Sequence, residues 1–175
     1  MKLSPVIPCG ERHLPAILSI WNDAIIHSTA IYDYEPRTPD IVRQWFQQKQ
    51  RAHRPVLGIE AGDGTLMAFA TYGPFRPFPA YKYTVEHSVY VDKAYRGQGL
   101  GKSLMLAIID AAQVQQFHVI VGAIDSANED SIRLHRSLGF TSCGVIRQAA
   151  FKFGHWLDLE FYQLILRTPE NPVEG

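Results

Sequence analysis

Apolar residues recur at Leu14, Ile17, Leu18, Trp21, Ala24 and Ile25, in steps of three and four. That spacing predicts an amphipathic helix over 11–28. A second stripe, Ile41, Val42, Trp45 and Phe46, follows Thr38-Pro39, where threonine is a good N-cap and proline suits the first helical position. This helix is expected to reach about Gln50, with those four residues as its buried side. Short apolar runs mark strands: 3–9, an edge strand broken by proline, then 56–61 and 66–72, a hairpin about Gly62-Asp63-Gly64. The aromatic and proline-rich stretch 73–83 reads as a loop, and 84–91 as a strand. A glycine-rich turn opens a helix over 99–115, followed by a β-branched strand over 118–123. A helix over 128–138 is closed by Gly139. Strands over 140–150 and 156–166 precede a tail. The order β-α-α-β-β-β-α-β-α-β-β predicts an α/β (α+β) chain around one mixed sheet. One domain is expected over 1–175, with an ordered core of 3–167 and a tail of 168–175.

The apolar share is 46% and the charged share 19%, enough apolar material for a core and against disorder. Lys plus Arg equals Asp plus Glu at 17 each, so there is no overall basic field for nucleic acid or an anionic membrane. No apolar run approaches the roughly 20 residues that cross a bilayer, and the first ten residues do not look like a signal peptide. Cys9 and Cys143 stand far apart without metal-ligand spacing, so neither a disulfide framework nor a metal is expected. These features lead to the expectation of a soluble cytoplasmic protein.

The stretch 89–103 carries the chemistry. A strand runs into Arg96-Gly97-Gln98-Gly99-Leu100-Gly101-Lys102, and an amphipathic helix leaves it. Glycine permits positive φ and close approach of a ligand. The first helical amides have no internal acceptor, and the helix dipole is positive there, so the turn is a candidate diphosphate cradle. Spacing separates it from other phosphate loops. A Walker A loop needs glycine where Arg96 stands, and a dinucleotide fingerprint needs glycine where Lys102 stands. Arg96-x-x-Gly99-x-Gly101 instead matches the Arg/Gln-x-x-Gly-x-Gly/Ala turn of the GNAT superfamily of N-acetyltransferases.

The resemblance extends beyond that turn. Val85-Glu86-His87-Ser88-Val89-Tyr90-Val91, Asn128-Glu129-Asp130-Ser131 with His135, Leu138-Gly139-Phe140 and Phe151-Lys152-Phe153-Gly154-His155-Trp156-Leu157-Asp158 resemble the phosphinothricin and methionine sulfone acetyltransferase group of GNAT. A weaker match lies at Ser28-Thr29 and Glu35-Pro36-x-Thr38. The similarity implies a GNAT fold, a homodimer and acetyl-CoA as acetyl donor, without a metal. It implies that Val89, Tyr90, Val91, Arg96, Gly97, Gln98, Gly99, Leu100, Gly101, Lys102, Asn128 and Ser131 hold coenzyme A. For Asn128, helix N-capping is an equal alternative.

Strand alternation places Thr84, Glu86, Ser88 and Tyr90 on one face, away from Val85, His87 and Val89. A carboxylate in so apolar a strand is either a solvated charge or a base. The resemblance makes Glu86 the general base that takes the proton of the amine acceptor. His135 stands where the group carries histidine. Two readings stay open for it: a proton donor to the departing sulfur, or a packed side chain. His87 and His155 read as structural. The acceptor is expected to be a small amino acid whose carboxylate meets Arg76. Tyr32, Phe78, Pro79, Ala80, Tyr81 and Tyr83 would shape its pocket, unless the aromatic rings merely pack beneath a loop. Alternatives are another small amine or a peptide N-terminus as acceptor, or a coenzyme A-binding module without catalysis.

Overall fold

The structure is a computed structural model that describes residues 5–175. Residues 3 and 4 of the first expected strand lie outside the described residues. Among those described, the strands are β1 (Val6–Pro8), β2 (Val56–Glu60), β3 (Leu66–Pro74), β4 (Thr84–Val91), β5 (Val119–Asp125), β6 (Thr141–Lys152) and β7 (His155–Ile165). The α-helices are α1 (Leu14–His27), α2 (Pro39–Arg51), α3 (Leu100–Val114) and α4 (Glu129–Ser137). The strands form one mixed sheet in the order β1-β2-β3-β4-β5-β7-β6. The β1–β2, β2–β3, β5–β7 and β6–β7 registers are antiparallel, and β4–β5 is parallel.

The chain gathers into two compact units. One holds the described residues up to Tyr72 with Ser88–Ile108, and the other holds Gly73–His87 with Ile109–Gly175. In the first, α1 buries Ile17, Ile20 and Trp21 against Val42 and Phe46 of α2 and Val56, Leu66 and Phe69 of the sheet. Trp21 lies 4.5 Å from Trp45 and 5.5 Å from Phe69, edge to face, a favoured arrangement for buried rings. Thr38 caps α2, its Oγ1 accepting from the Ile41 N–H at 3.3 Å. Ile41 itself departs from expectation and is exposed. The buried stripe of α2 centres on Val42 and Phe46, one turn apart, and Ile41 falls at its margin.

In the second unit, β5 buries Ile120 and Ile124 and β7 buries Leu157 and Tyr162. Several boundaries differ from the sequence expectation; β5, expected to end at residue 123, runs on to Asp125. β3 continues through Gly73 and Pro74, because proline at a strand's last residue deprives no neighbour of a needed donor. The loop after it contains a 3-10 turn over Pro79–Tyr81. The last two strands extend to Lys152 and back to His155, so their turn is only Phe153-Gly154, both at positive φ.

Candidate active site

In the first unit, β4 ends at Val91. The Asp92 carboxylate accepts from the Ala94 N–H at 2.8 Å, and the Asp92 N–H donates to the Met67 carbonyl at 2.9 Å. These bonds fix the entry to a 3-10 turn over Lys93–Tyr95, which Lys93 ties to Asp23 at 2.7 Å. Gly97 and Gly99 follow with φ of 76° and 80°. A Cβ at either would meet nothing within 4 Å, so glycine is required there by backbone conformation and not by crowding. The first i→i−4 bond of α3 runs from the Ser103 N–H to the Gly99 carbonyl at 3.1 Å. The amides of Leu100, Gly101 and Lys102 precede it and have no intrahelical acceptor. Arg96, Gln98 and Lys102 are exposed beside them, and the Arg96 Nε donates to the Val91 carbonyl at 3.4 Å. An anionic diphosphate fits this turn, which offers open main-chain donors, a helix N-terminus and two cations. Val89, Tyr90 and Val91 lead into it, half-buried.

In the second unit, Thr84, Val85 and Glu86 of β4 pair with Val119, Ile120 and Val121 of β5, and Glu86 is the last partner of that ladder. Val85 and His87 are buried while Thr84 and Glu86 are half-buried, so the expected alternation holds. Burial pushes the Glu86 carboxyl above the ordinary glutamate value, and the nearby Arg76 charge opposes that rise. Thr84, Val119 and Val121 line a cavity of about 510 Å3. Its other walls are Phe75, Arg76 and Tyr81 from the loop, Cys143–Ile146 of β6, and Phe161 and Gln163 of β7. The Arg76 guanidinium stacks 4.5 Å from the Phe75 ring centroid. The cavity is thus largely apolar with one cation at its wall. Arg76 and Tyr81 are the cavity residues expected from the sequence, and the β5, β6 and β7 contributors share a face with them only through strand pairing.

Phe78, Pro79, Ala80 and Tyr81 form the exposed 3-10 turn and its lead-in. The Tyr83 hydroxyl bonds both the N–H and the carbonyl of Val173, at 3.0 and 3.2 Å, which ties it to the tail. Tyr32 is half-buried in the first unit. Asn128 is the N-cap of α4, its Oδ1 accepting from the Ser131 N–H at 3.1 Å. His135 is buried on α4. Its Nδ1 lies 2.7 Å from the Ser131 carbonyl and its Nε2 lies 2.8 Å from Nε2 of His87. Because His87 and Glu86 are neighbours on a strand, Glu86 points to the face opposite the one on which His135 stacks. Among the described residues, no group of three His, Cys, Asp or Glu is placed to hold a metal ion, and no helix is long and apolar enough to cross a membrane.

Residues 16–140 match the model of the acetyltransferase (GNAT) family, most of the chain's length. The chain belongs to the GNAT family. Among its relatives, an L-methionine sulfoximine/L-methionine sulfone acetyltransferase from Pseudomonas aeruginosa is 45% identical over 157 residues, covering 90% of this chain and 91% of that protein. A phosphinothricin N-acetyltransferase from Streptomyces viridochromogenes is 33% identical, covering 94% of this chain and 89% of that protein. A GNAT superfamily phosphinothricin acetyltransferase from Sinorhizobium meliloti, solved in complex with acetyl-CoA, superposes with a TM-score of 0.94 at 27% identity, covering 99% and 95% of the two chains. This GNAT acetyltransferase therefore shares both its fold and most of its length with enzymes that acetylate amino acids.

Proposed function

We propose that this GNAT acetyltransferase moves the acetyl group of acetyl-CoA directly to the α-amino group of a small amino acid of the methionine sulfone, methionine sulfoximine or phosphinothricin kind. The carrying observation is Glu86, a half-buried carboxylate held above its ordinary pKa by burial, on the strand that leads into the glycine turn. Acetyl-CoA supplies an acyl group activated as a thioester. The amides of Gly97–Lys102, with Arg96 and Lys102, hold its diphosphate, and Val89, Tyr90 and Val91 provide the adjoining strand. The resemblance assigns Asn128 and Ser131 to coenzyme A as well, besides the cap that engages the Asn128 Oδ1. Arg76 takes the acceptor carboxylate, and Tyr32, Phe78, Pro79, Ala80, Tyr81 and Tyr83 border the acceptor.

An ammonium group is not a nucleophile. Glu86 accepts its proton, directly or through one water, and a raised pKa makes the carboxylate a better base near neutral pH. The amine nitrogen then bonds the acetyl carbon, the carbon–sulfur bond breaks with its electron pair leaving on sulfur, and the second proton shed by that nitrogen passes through water to the thiolate. Holding both reactants together supplies much of the rate. The proposed setting is a cytoplasmic homodimer, and light scattering would report its mass.

The test is release of free thiol from acetyl-CoA with methionine sulfone, methionine sulfoximine, phosphinothricin, unmodified amino acids, simple amines and a short peptide as acceptors. Turnover confined to the first three supports the proposal. Turnover only with the peptide or with simple amines would replace the acceptor, and thioester binding without turnover on any of them would replace the enzyme by a binding module.

A further inference from the structure

His87 and His135 lie 48 positions apart in sequence and meet with ring centroids 4.9 Å apart. Both are more than nine-tenths buried. Gly122 of β5 forms the floor beneath them: a Cβ there would lie 2.8 Å from the His87 Nε2 and 3.0 Å from the His135 Nε2. Phe140 stands edge-on at 5.8 and 5.1 Å. Tyr162 is 6.2 Å from His135, with the Arg136 guanidinium 5.8 Å over the Tyr162 ring and Glu160 acting on its hydroxyl.

The proton positions follow from the partners. A carbonyl only accepts, so the His135 Nδ1 carries hydrogen and donates to Ser131. Burial lowers the pKa of both rings, and each is neutral near pH 7. The His135 Nε2 is then a bare acceptor, and the His87 Nε2–H is the donor across the 2.8 Å contact. The His87 Nδ1 is left as an unpartnered lone pair among the described residues, a milder defect than an orphaned N–H. Asn128 extends the series, because its Oδ1 accepts from the N–H of the same Ser131.

We propose that His135 is a positioning residue: the one-way hydrogen-bond series His87 to His135 to Ser131, joined by Asn128, locks α4 to the strand residue next to Glu86. Both ring nitrogens of His135 are committed in this series, and it holds no proton for a leaving sulfur. A proton on the His135 Nε2 would set two donors against each other across 2.8 Å and part α4 from β4, whereas one on the His87 Nδ1 would leave that contact intact and bury an unpaired charge.

The tautomers do not depend on the proposed acetyl transfer, whereas the kinetic consequence rests on it. The first measurement is a long-range nitrogen–proton spectrum of the histidine rings in the full-length, labelled chain at pH 7.5, assigned with His87→Gln and His135→Gln. Neutral Nδ1–H for His135 and neutral Nε2–H for His87 are expected. A His135 ring in the Nε2–H or cationic form overturns the proposal, and if the variants fail to fold the rings are assigned through their own backbone signals.

The second measurement is a double-mutant cycle on kcat/KM with methionine sulfone. His87→Leu and His135→Leu should each lose about 10-fold to 100-fold, as misplacement by a fraction of an ångström does, and the double variant should lose no more than the worse single one. His87→Gln, which keeps a donor near the same place and does not titrate, should restore most of the loss. Overturning results are a large loss for His135→Leu with none for His87→Leu, or losses that multiply in the double variant. Absence of turnover in the parent chain would count against the proposed function alone, since the ring spectrum would still decide the tautomers.

Discussion

Two glycines show how differently this chain builds its two regions of interest. Gly99 sits at φ of 80° with nothing within 4 Å of a would-be Cβ. It serves a surface turn whose polar groups are main-chain amides, with side-chain charge only as a supplement. Gly122 lies in a strand at ordinary φ, and a Cβ there would strike two imidazoles at 2.8 and 3.0 Å. It serves a buried region built from side chains: the histidine pair on one face of β4 and Glu86 on the other. The first region depends on backbone conformation and the second on fit. The first should therefore tolerate side-chain changes and resist protonation, and the second should do neither.

The largest expected contrast comes from Glu86→Gln. Loss of a general base should cut kcat/KM by about 100-fold or more. Acetyl-CoA affinity, measured by calorimetry, should stay within error of the parent. Equal loss in both would erase the distinction between a side-chain site for chemistry and a main-chain site for the donor.

Acid is the next probe. The ordinary histidine value is 6.5 and the folded value for His87 is pushed down to about 3. The folded state therefore binds fewer protons than the unfolded state between these limits. The neutral ring's full contribution is present above pH 6.5 and is lost as pH falls toward 3. Each pH unit within that window removes up to about 1.4 kcal/mol for one such ring. Thermal melts at pH 7.5, 6.0 and 5.0 should show the loss, and His87→Gln should flatten it. An unchanged slope in His87→Gln would remove the pair as its cause.

Gly122→Ala should destabilise by about 1–3 kcal/mol through overpacking, and the penalty should shrink in a His87→Ala background, where the nearer obstacle is gone. Arg76→Ala should raise the acceptor KM about tenfold, as loss of a charge-assisted bond does. It should also move the acid limb of kcat/KM to higher pH, because the Arg76 charge holds the Glu86 pKa down. A limb that moves to lower pH would contradict that pairing. The smallest effect is expected from Lys102→Ala, about threefold in the acetyl-CoA KM, since an exposed charge beside main-chain donors is worth well under 1 kcal/mol.

The same contrast explains what could be read from the residues. The glycine turn was legible because local spacing carries it: Arg96, Gly99 and Gly101 fit its pattern, and Arg96 and Lys102 each exclude one other phosphate loop. Strand β4 was legible to its ends, and so was the Thr38 cap, because alternation and capping are also local. Ile41 was misplaced because its stripe has a margin that periodicity cannot locate. The limits of β3 and of the last hairpin were missed because Gly73-Pro74 and Phe153-Gly154 read equally as loop or strand end. The histidine pair, its glycine floor and most cavity walls were invisible, because His87 meets His135 across 48 positions and Val121, Phe161 and Val145 share a surface only through strand order.

The most direct measurement of the central claim is a titration of acetyl-CoA into the labelled chain, following the main-chain amides. Large shifts from Gly97 to Lys102, retained in Lys102→Ala and Glu86→Gln, are the predicted result. Saturable binding of the thioester that leaves those amides unmoved would contradict it.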